Sequence, residues 1–336
     1  MLFKKKQAVC IEIRDDVIRY VELKSIDPIV VKKYGEKAVP KGVIGNGRIL
    51  IPEAFKIFLE SCVREWKIKR KPVIFVEPDE TVAIKKVAVP LDISEEEMRA
   101  YLYQALGESI ILPFDEPAID YVMMKQNLNK TTQSYFEPVE NQKKTRDVLL
   151  VATPDDLVSS YSEAFRSNHL EPEAVDISPL CYYRLYLDQL KTPYLAKEVM
   201  VLQVDNDNVT ISIFEDNIPI FMQYEELFSV KKDWKEEGEK AKDMQERFKT
   251  LRGDLDRILH FYQFSISKGN IIKEIILVGE NPYLDELSVE LENELNLKIN
   301  KIEEKIKTVT GEIVPKRYHL AIGLGLKGVD YDVSRY

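Results

Sequence analysis

The chain has 336 residues, about twice the usual size of one domain, so two domains or lobes are expected. Hydrophobic residues make up 45% and charged residues 31%, with 13 Gly and 16 Pro, a composition that excludes disorder of the whole chain. Lys and Arg number 48 against 57 Asp and Glu, and a formal charge of -9 repels a phosphate backbone. We therefore expect no nucleic-acid partner.

Cysteine and histidine are sparse. The three cysteines are Cys10, Cys62 and Cys181, and the three histidines are His169, His260 and His319. Three scattered cysteines form neither a disulfide framework nor a zinc cluster, and the histidines are isolated in sequence from one another and from cysteine. The pattern predicts a reducing compartment, no metal site and no Cys/His nucleophile pair.

Neither a leader nor a membrane span is expected. Basic residues Lys4, Lys5 and Lys6 stand near the start, but Glu12 and the charges after it interrupt any apolar stretch of signal-peptide length. No run of about 18 apolar residues occurs. We expect a cytoplasmic protein that reaches the membrane only through a partner.

The first predicted element is a β-hairpin. Residues 8–23, AVCIEIRDDVIRYVEL, form two β-rich runs around a charged turn at Arg14, Asp15 and Asp16. A helix is predicted at about 52–66 and a strand at 72–77, with the basic run KIKRK (67–71) between them. The opening pattern is thus strands, helix and strand.

A capping box marks the next helix. Ser94 precedes Glu97 by three residues, a spacing at which each side chain caps the other's backbone amide. An apolar stripe with helical spacing follows, and Gly107 marks the end. The stripe consists of Met98, Tyr101, Leu102, Ala105 and Leu106.

Two strands and a helix come next. Strands are predicted at about 119–124 and 147–153, flanking the polar segment 126–146, which we expect to be an exposed hairpin tip. Thr153 is then predicted as the N-cap of a helix with Pro154 in its first position, ending before Asn168.

The second half repeats the design of the first. After a strand at 174–176 and a helix through Tyr186, residues 199–224 form a second hairpin with a polar turn. Helical spacing covers 231–264, the strand EIILV runs into the turn GENP, and a leucine-striped helix and a last helix at HLAIGLGLKG follow. A hairpin at the head of each half suggests an internally duplicated α/β architecture.

These stretches carry a resemblance to a known family. The chain resembles the PilM family of type IV pilus assembly proteins, relatives of the division protein FtsA, over nearly its full length. The matching stretches are AVCIEIRDDVIRYVEL, VAVPLDISEEEMRAYLYQALGESIILPFDEPAIDY, VLLVATPDDLVSSYSEAF, VLQVDNDNVTISIFEDNIPIF, DLDRILHFY and YHLAIGLGLKG. The second stretch is the most specific, because it is similar to the inserted subdomain that few other members of the fold share.

The resemblance implies an α/β protein with the actin-like ATPase fold, in which each of two lobes is built on a mixed sheet flanked by helices. The expected divisions are 1–79 for the first lobe, 80–171 for the inserted subdomain, 172–196 for a return to the first lobe, 197–315 for the second lobe with a helical part at about 228–270, and 316–336 for a C-terminal helix and tail.

The resemblance also marks the positions where such proteins hold nucleotide phosphates. In the first loop the family has aspartate, a hydrophobe and glycine, where this chain has Glu12, Ile13 and Arg14, followed by Asp15. Glycine lets backbone amides approach phosphate oxygens, and Arg14 obstructs that approach.

The second and third loops depart from the family as well. The second-loop pattern falls on Gln203 and Asp205, with Thr210 just beyond the threonine position, and the third loop keeps Gly279 but has Glu280 beside it. A carboxylate about 4 Å from a phosphate oxygen is repelled by about 4 kcal/mol, roughly a thousandfold in affinity. We expect that ATP binding is lost, with no catalytic residue and no cofactor. The alternative is a working actin-like ATPase that binds ATP and magnesium and whose nucleotide state regulates pilus assembly or polymerisation.

Partners follow from the resemblance. PilM-like proteins bind the short cytoplasmic tail of the bitopic membrane protein PilN, so a PilN-like tail is the expected partner, with the pilus assembly ATPase as a second one. Tyr101, Leu102 and Ile110 are the predicted groove residues. For this apolar stripe, packing on its own sheet is the favoured interpretation, and the groove is the alternative. Homo-oligomerisation is a hypothesis from the fold analogy.

Other interpretations of single features stay open. Glu12, Asp205 and Glu280 could converge on a metal, although solvated turn residues are the favoured interpretation. The basic runs 4–6 and 67–71 could face an anionic bilayer or be solvated. An FtsA-like division protein would end in an amphipathic membrane helix, which the short acidic end does not match. A sugar kinase would need intact phosphate loops.

Overall fold

The computed structural model describes residues 8–124, 145–190, 197–227, 237–267 and 269–328. The basic residues Lys4 to Lys6, nearly all of the predicted hairpin tip at 126–146, and the last eight residues lie outside this part. The chain divides into two compact units, one formed by Met1–Glu80 with Ser160–Tyr336 and the other by Thr81–Ser159.

Strands and helices are interspersed along the described chain. The strands are β1 (Val9–Ile13), β2 (Val17–Ile26), β3 (Ile29–Ala38), β4 (Ile44–Gly45), β5 (Arg48–Ile49), β6 (Pro72–Val76), β7 (Ala83–Pro90), β8 (Pro117–Met123), β9 (Thr145–Pro154), β10 (Glu171–Asp176), β11 (Glu198–Val204), β12 (Asn208–Glu215), β13 (Ile218–Glu226), β14 (Glu274–Val278), β15 (Lys298–Lys301) and β16 (Lys307–Thr308). The helices are α1 (Pro52–Trp66), α2 (Glu95–Ala105), α3 (Asp155–Ser167), α4 (Ser178–Gln189), α5 (Glu237–Phe261), α6 (Leu284–Leu295) and α7 (His319–Leu324).

The first unit contains two large sheets that share a topology, besides the two-stranded sheet of β4 and β5. The six-stranded sheet has the order β10-β6-β1-β2-β3-β16, and the five-stranded sheet has the order β13-β12-β11-β14-β15. In each sheet three consecutive strands form an antiparallel meander, and a later strand pairs parallel with the first strand of that meander. This correspondence confirms the internal duplication predicted from the two hairpins.

A shared core lies between the two sheets. It joins residues of β1 and β2 to residues of β11 and β14 through α4 and α7. Gly323 of α7 permits the close approach of these helices, because a Cβ there would lie 2.0 Å from the carbonyl oxygen of Cys181 in α4. All three cysteines are free and buried, and burial raises the pKa of the Cys10 thiol to about 12, so they behave as core residues.

The predicted helix start at Thr153 is wrong. Thr153 and Pro154 are the last residues of β9, and α3 begins at Asp155. Pro154 pairs with Pro117 of β8 at the end of the ladder, where the missing N–H of proline costs no interior hydrogen bond.

The boundary between the units also differs from the predicted 171. The second unit ends at Ser159, because the rest of α3 packs on the first unit. The ring centroids of Tyr161 and Phe165 lie 6.2 and 5.2 Å from that of Phe75 in β6. The predicted helices at 52–66 and 231–264 correspond to α1 and α5, with a π-helical turn at Tyr262–Ile266 after α5.

The second unit is a three-stranded antiparallel sheet, in the order β7-β9-β8, covered by α2. The capping box is present: the Ser94 hydroxyl accepts from the Glu97 amide, and the Glu97 carboxylate accepts from the Ser94 amide. Leu102 and Ile110 are 0% and 3% exposed and belong to the core of this unit. This corrects their assignment to an open groove, since the apolar stripe packs on its own sheet, while Tyr101 is half-buried beside that core.

Candidate functional site

Three loops meet within the first unit. They follow β1 (Arg14 to Asp16), β11 (Asp205 to Asp207) and β14 (Gly279 to Asn281). Parallel pairing of β1 with β6 and of β11 with β14 brings the carboxyl ends of these strands to one edge of each sheet. Ion pairs from Arg14 to Asp205 and Glu280 bring the predicted loop positions of the two halves together.

Arg14 joins the three loops. Its Nε atom lies 2.5 Å from Oε1 of Glu12, its Nη1 atom 3.2 Å from Oδ2 of Asp205, and its Nη2 atom 2.9 Å from Oε1 of Glu280. The guanidinium is thus bound by one carboxylate of the first sheet and two of the second. Burial disfavours its charge, but the three carboxylates outweigh that cost and raise the pKa of Arg14 above its ordinary value.

Arg19 of β2 is a second bridge, to which nothing in the sequence alone points. It donates from Nη1 and Nη2 to the two carboxylate oxygens of Glu280, at 2.5 and 2.8 Å, and from Nε to Glu36 at 2.9 Å. Its Nη1 atom also lies 3.1 Å from Glu12. A two-point contact between Arg19 and Glu280 is the strong form of this ion pair, and it again links the two sheets.

The convergence of the three carboxylates corrects one expectation. Glu12 and Asp205 are 1% and 2% exposed and Glu280 is half-buried, so they are not solvated turn residues. The group on which they converge is the guanidinium of Arg14, which compensates the cost of burying their charges. In the described part of the chain, no three His, Cys, Asp or Glu side chains are placed to hold a metal ion.

A hydrogen-bonded chain lies beside this cluster. The Gln203 amide nitrogen donates to Asp205 at 2.8 Å, and its amide oxygen lies 2.6 Å from the Ser178 hydroxyl. The Asp79 carboxylate lies 2.5 Å from the same hydroxyl and accepts from Thr210 at 2.8 Å. Burial raises the pKa of Asp79 to about 6. The chain connects the loop after β6 with β11 and β12 of the other sheet.

The remaining loop positions are engaged by the protein itself. Asp15 accepts from the backbone amides of Asn46 and Gly47 at 2.9 and 3.0 Å, which fastens the β4–β5 hairpin to the first loop. Gly279 has φ +115°, and the amide of Glu280 after it donates to Asp205 at 3.0 Å. Both carboxylates therefore bind backbone amides of this chain.

A cavity of about 460 Å³ adjoins the cluster. Its charged lining comprises nine carboxylates and one guanidinium, that of Arg14. The carboxylates are those of Glu12, Asp15, Asp16, Glu77, Asp79, Glu80, Asp205, Asp207 and Glu226. Burial and the nearby Asp15 raise the pKa of Glu80 to about 6, as expected where carboxylates crowd together. The cavity therefore has a negative potential.

Two site residues that the sequence analysis missed, Asp79 and Glu80, could have been found from their position after a strand. Asp79 and Glu80 follow the buried strand β6, and polar residues after a strand that pairs parallel with β1 lie at the edge where Arg14 lies. Arg19 and Ser178 carried no such signal, because their partners Glu280 and Asp79 are 261 and 99 residues away in sequence.

Comparison with known proteins places these features in a family. The family model described as type IV pilus assembly protein PilM matches residues 10–328. No curated protein matches the chain by sequence. Among the described residues, no helix has the length and apolar composition needed to cross a membrane.

Three solved structures are similar. One is described as a PilM-PilN type IV pilus biogenesis complex, with TM-score 0.75 and 19% identity, covering 97% of this chain and 99% of that one. Another is the ethanolamine utilization protein EutJ from Carboxydothermus hydrogenoformans, with TM-score 0.51 and 9% identity, covering 96% and 89%. A Bacteroides thetaiotaomicron protein described as having an actin-like ATPase fold and unknown function has TM-score 0.46 and 14% identity, covering 96% of each chain.

The family model spans nearly the whole chain, and the duplicated sheets with an inserted three-stranded unit have the expected actin-like ATPase fold. The chain therefore belongs to the family of type IV pilus assembly proteins PilM.

Proposed function

We propose that this chain is a cytoplasmic scaffold in the inner-membrane platform of a type IV pilus, or of a related type II-like secretion system. In this proposal Arg14 and its ion pairs take the place of a nucleotide in joining the two sheets. The observation that carries the proposal is the position of the Arg14 guanidinium, within 3.2 Å of the carboxylates of Glu12 in β1, Asp205 in the second loop and Glu280 in the third.

The residues present do not suit ATP with its magnesium. Phosphates at this position would have to displace a guanidinium held by three carboxylates, and would then face Asp205 directly. Triphosphate is strongly anionic, and the adjoining cavity is lined by nine carboxylates and a single cation. The Glu280 amide is bonded to Asp205. These contacts support loss of ATP binding.

The proposed partner is the cytoplasmic tail of a PilN-like membrane protein. Membership in the PilM family supports it, as does the likeness to a structure described as a PilM-PilN complex. A scaffold of this kind would link the membrane protein to the pilus assembly ATPase. Of the predicted groove residues, Tyr101 alone keeps part of its side chain accessible for such a contact.

Calorimetric titration with magnesium ATP tests the nucleotide half of the proposal. We expect no binding heat and no thermal shift for the wild-type chain up to millimolar ATP. The variant Arg14→Gly, which restores the glycine of the family pattern, is the informative comparison. If this variant binds magnesium ATP and the wild type does not, Arg14 is the obstruction. Micromolar binding by the wild type would overturn the proposal.

Titration with a synthetic peptide of the PilN-like tail tests the partner half. We expect binding with or without ATP. Tyr101→Ala should weaken binding at least tenfold, whereas Tyr103→Ala, two residues away on the same helix and 46% exposed, should not. Absence of peptide binding by the wild type would contradict the adaptor role, and equal effects of the two variants would contradict the assignment of Tyr101.

One observation favours a second function. The cavity beside Arg14 has a volume of about 460 Å³, which is large enough for a small ligand. If magnesium ATP binds the wild-type chain, the protein is a nucleotide-regulated member of the fold and the cavity is its site.

A further inference from the structure

A basic surface lies on the first unit at the C-terminal ends of two helices. It comprises the exposed residues Arg64, Lys67, Lys69, Arg70 and Arg166, here called the basic face. Arg64 lies in the last turn of α1 and Arg166 in the last turn of α3. The amide of Arg70 donates to the carbonyl oxygen of His169 at 2.8 Å, so the two helix ends are adjacent.

The backbone of the basic face is fixed. Lys67 and Arg70 both have φ +59°, and His169 has φ +60°. The amide of Ile68 donates to Val63, and that of Leu170 donates to Phe165, closing both helix ends. Ile68 is 0% exposed and Leu170 is 2% exposed, which anchors both loops in the core. The backbone that carries these cations is therefore anchored at both helix ends.

The central cations of the basic face have no carboxylate partner. In the described part of the chain, no ion pair is formed by Lys67, Lys69 or Arg70, whereas the neighbouring Lys71 is paired with Glu22 at 2.6 Å. Their charges are therefore available to an anionic partner.

Carboxylates also lie near the basic face. The nearby carboxylate of Glu65 is paired with Lys37 at 2.6 Å, and Glu163 and Glu171 are exposed carboxylates close to this surface in sequence. Attraction to helix C-termini accounts for cations in the last turns of α1 and α3, but Lys69 and Arg70 lie beyond the end of α1. Their position calls for another explanation.

We propose that the basic face docks directly on an anionic phospholipid bilayer. A chain of net charge -9 is repelled by such a bilayer as a whole, so an unpaired cationic surface would select one orientation of the molecule at the membrane. Each Lys or Arg near an anionic leaflet increases partitioning by about fivefold. This contact goes beyond the proposed function and needs no partner protein.

Flotation of the full chain with vesicles tests the proposal. We expect binding to vesicles of phosphatidylcholine mixed with phosphatidylglycerol at low salt, release at high salt, and no binding to phosphatidylcholine alone. The triple variant K67N/K69Q/R70N removes the three cations and places asparagine, which tolerates positive φ, at positions 67 and 70. Its affinity for the anionic vesicles should fall by about a hundredfold. A circular dichroism melt checks that it folds.

The matched control is K242Q/K249Q/K307Q, which removes three exposed cations elsewhere on the first unit and should bind as the wild type does. Equal losses by the two triple variants would indicate general charge attraction and overturn the proposal, as would absence of binding to the anionic vesicles. Competition by soluble glycerol phosphate would indicate a pocket for a single phosphate group and would also overturn docking on a bilayer surface. The assay contains no PilN-like peptide or nucleotide, so its outcome is independent of the proposed function.

Discussion

The Oδ2 atom of Asp79 lies 2.5 Å from the Oγ atom of Ser178, and the same hydroxyl lies 2.6 Å from Oε1 of Gln203. A serine hydroxyl has one hydrogen, and both neighbours are acceptors when Asp79 is ionised. Gln203 cannot turn its amide to help, because its nitrogen already donates to Asp205 at 2.8 Å. A proton on Asp79 satisfies both contacts, in agreement with the pKa of about 6 that burial gives this group.

Protonation of Asp79 should make the stability of the first unit depend on pH. The folded chain holds this proton up to about pH 6, while the ordinary pKa of the side chain is 3.8. The folded state therefore binds more protons between these values, and the free energy of unfolding falls as pH rises from about 4 to 6. Asp79→Asn can still donate to Ser178 and does not titrate, so we expect it to be more stable than the wild type by about 3 kcal/mol at about pH 7.5.

Urea denaturation followed by circular dichroism at several pH values measures this difference. The advantage of Asp79→Asn should vanish near pH 4, while the slope due to Glu80, whose pKa is also raised to about 6, should persist in both proteins. Asp207→Asn, at an exposed position of the second loop, is the control and should show no such advantage. A destabilised Asp79→Asn at about pH 7.5 would contradict the raised pKa of Asp79, because it would mean that the folded chain favours the ionised carboxylate.

Removal of the Arg14 guanidinium should destabilise the first unit strongly. Arg14→Gln leaves Glu12, Asp205 and Glu280 crowded together with Arg19 as their remaining cation. Breaking a buried ion pair from one side costs about 3–5 kcal/mol. Arg257→Gln is the matched control, because that side chain is 77% exposed and its pair with Asp254 should contribute under about 1 kcal/mol. Equal unfolding free energies for the two variants would show that the cluster does not hold the sheets together.

The sequence predicts elements whose signals lie within a few residues of one another. It does not predict contacts between residues that are distant along the chain. The capping box of Ser94 and Glu97 and the polar turn of the first hairpin depend on neighbours within a few residues, and both are present. The strand β3 is not predicted, because Lys32, Lys33 and Gly35 interrupt its apolar alternation.

The same limit applies to the candidate site. The sequence shows that Arg14 stands where the family has glycine, and it therefore predicts that a side chain obstructs the approach of phosphate. The ion pairs of Arg14 with Asp205 and Glu280 are not predicted, because they depend on how two sheets pack and not on spacing along the chain. Sequence reasoning therefore places the loops together but treats three buried carboxylates as solvated.

The hydroxyl of Tyr161 should stabilise the contact between α3 and the β4–β5 hairpin. It donates to the carbonyl oxygen of Gly47 at 2.8 Å and is fully buried. Tyr161→Phe leaves that carbonyl without its partner and should cost about 1–2 kcal/mol in urea denaturation. Tyr103→Phe, at a 46% exposed position, should change the unfolding free energy by less than about 0.5 kcal/mol. A neutral Tyr161→Phe would show that water replaces the hydroxyl.

Gly279 should be essential for the third loop. Its φ of +115° lies outside the range of ordinary side chains, and a Cβ there would lie 2.2 Å from the carbonyl oxygen of Val204. Gly279→Ala should therefore cost about 3 kcal/mol or more, and should also weaken the contacts of Arg14 and Arg19 with Glu280, since the amide of Glu280 is held by Asp205.

Gly253→Ala is the matched control. Gly253 lies within α5, where an added Cβ would meet no atom within 4 Å outside its own helix backbone, and alanine favours a helix over glycine by about 1 kcal/mol. Thermal melts should show opposite shifts for the two alanine variants. Equal stability of Gly279→Ala and the wild type would contradict the close packing of β11 against the third loop. It would also contradict the role of the Asp205 hydrogen bond in positioning Glu280 against the two arginines.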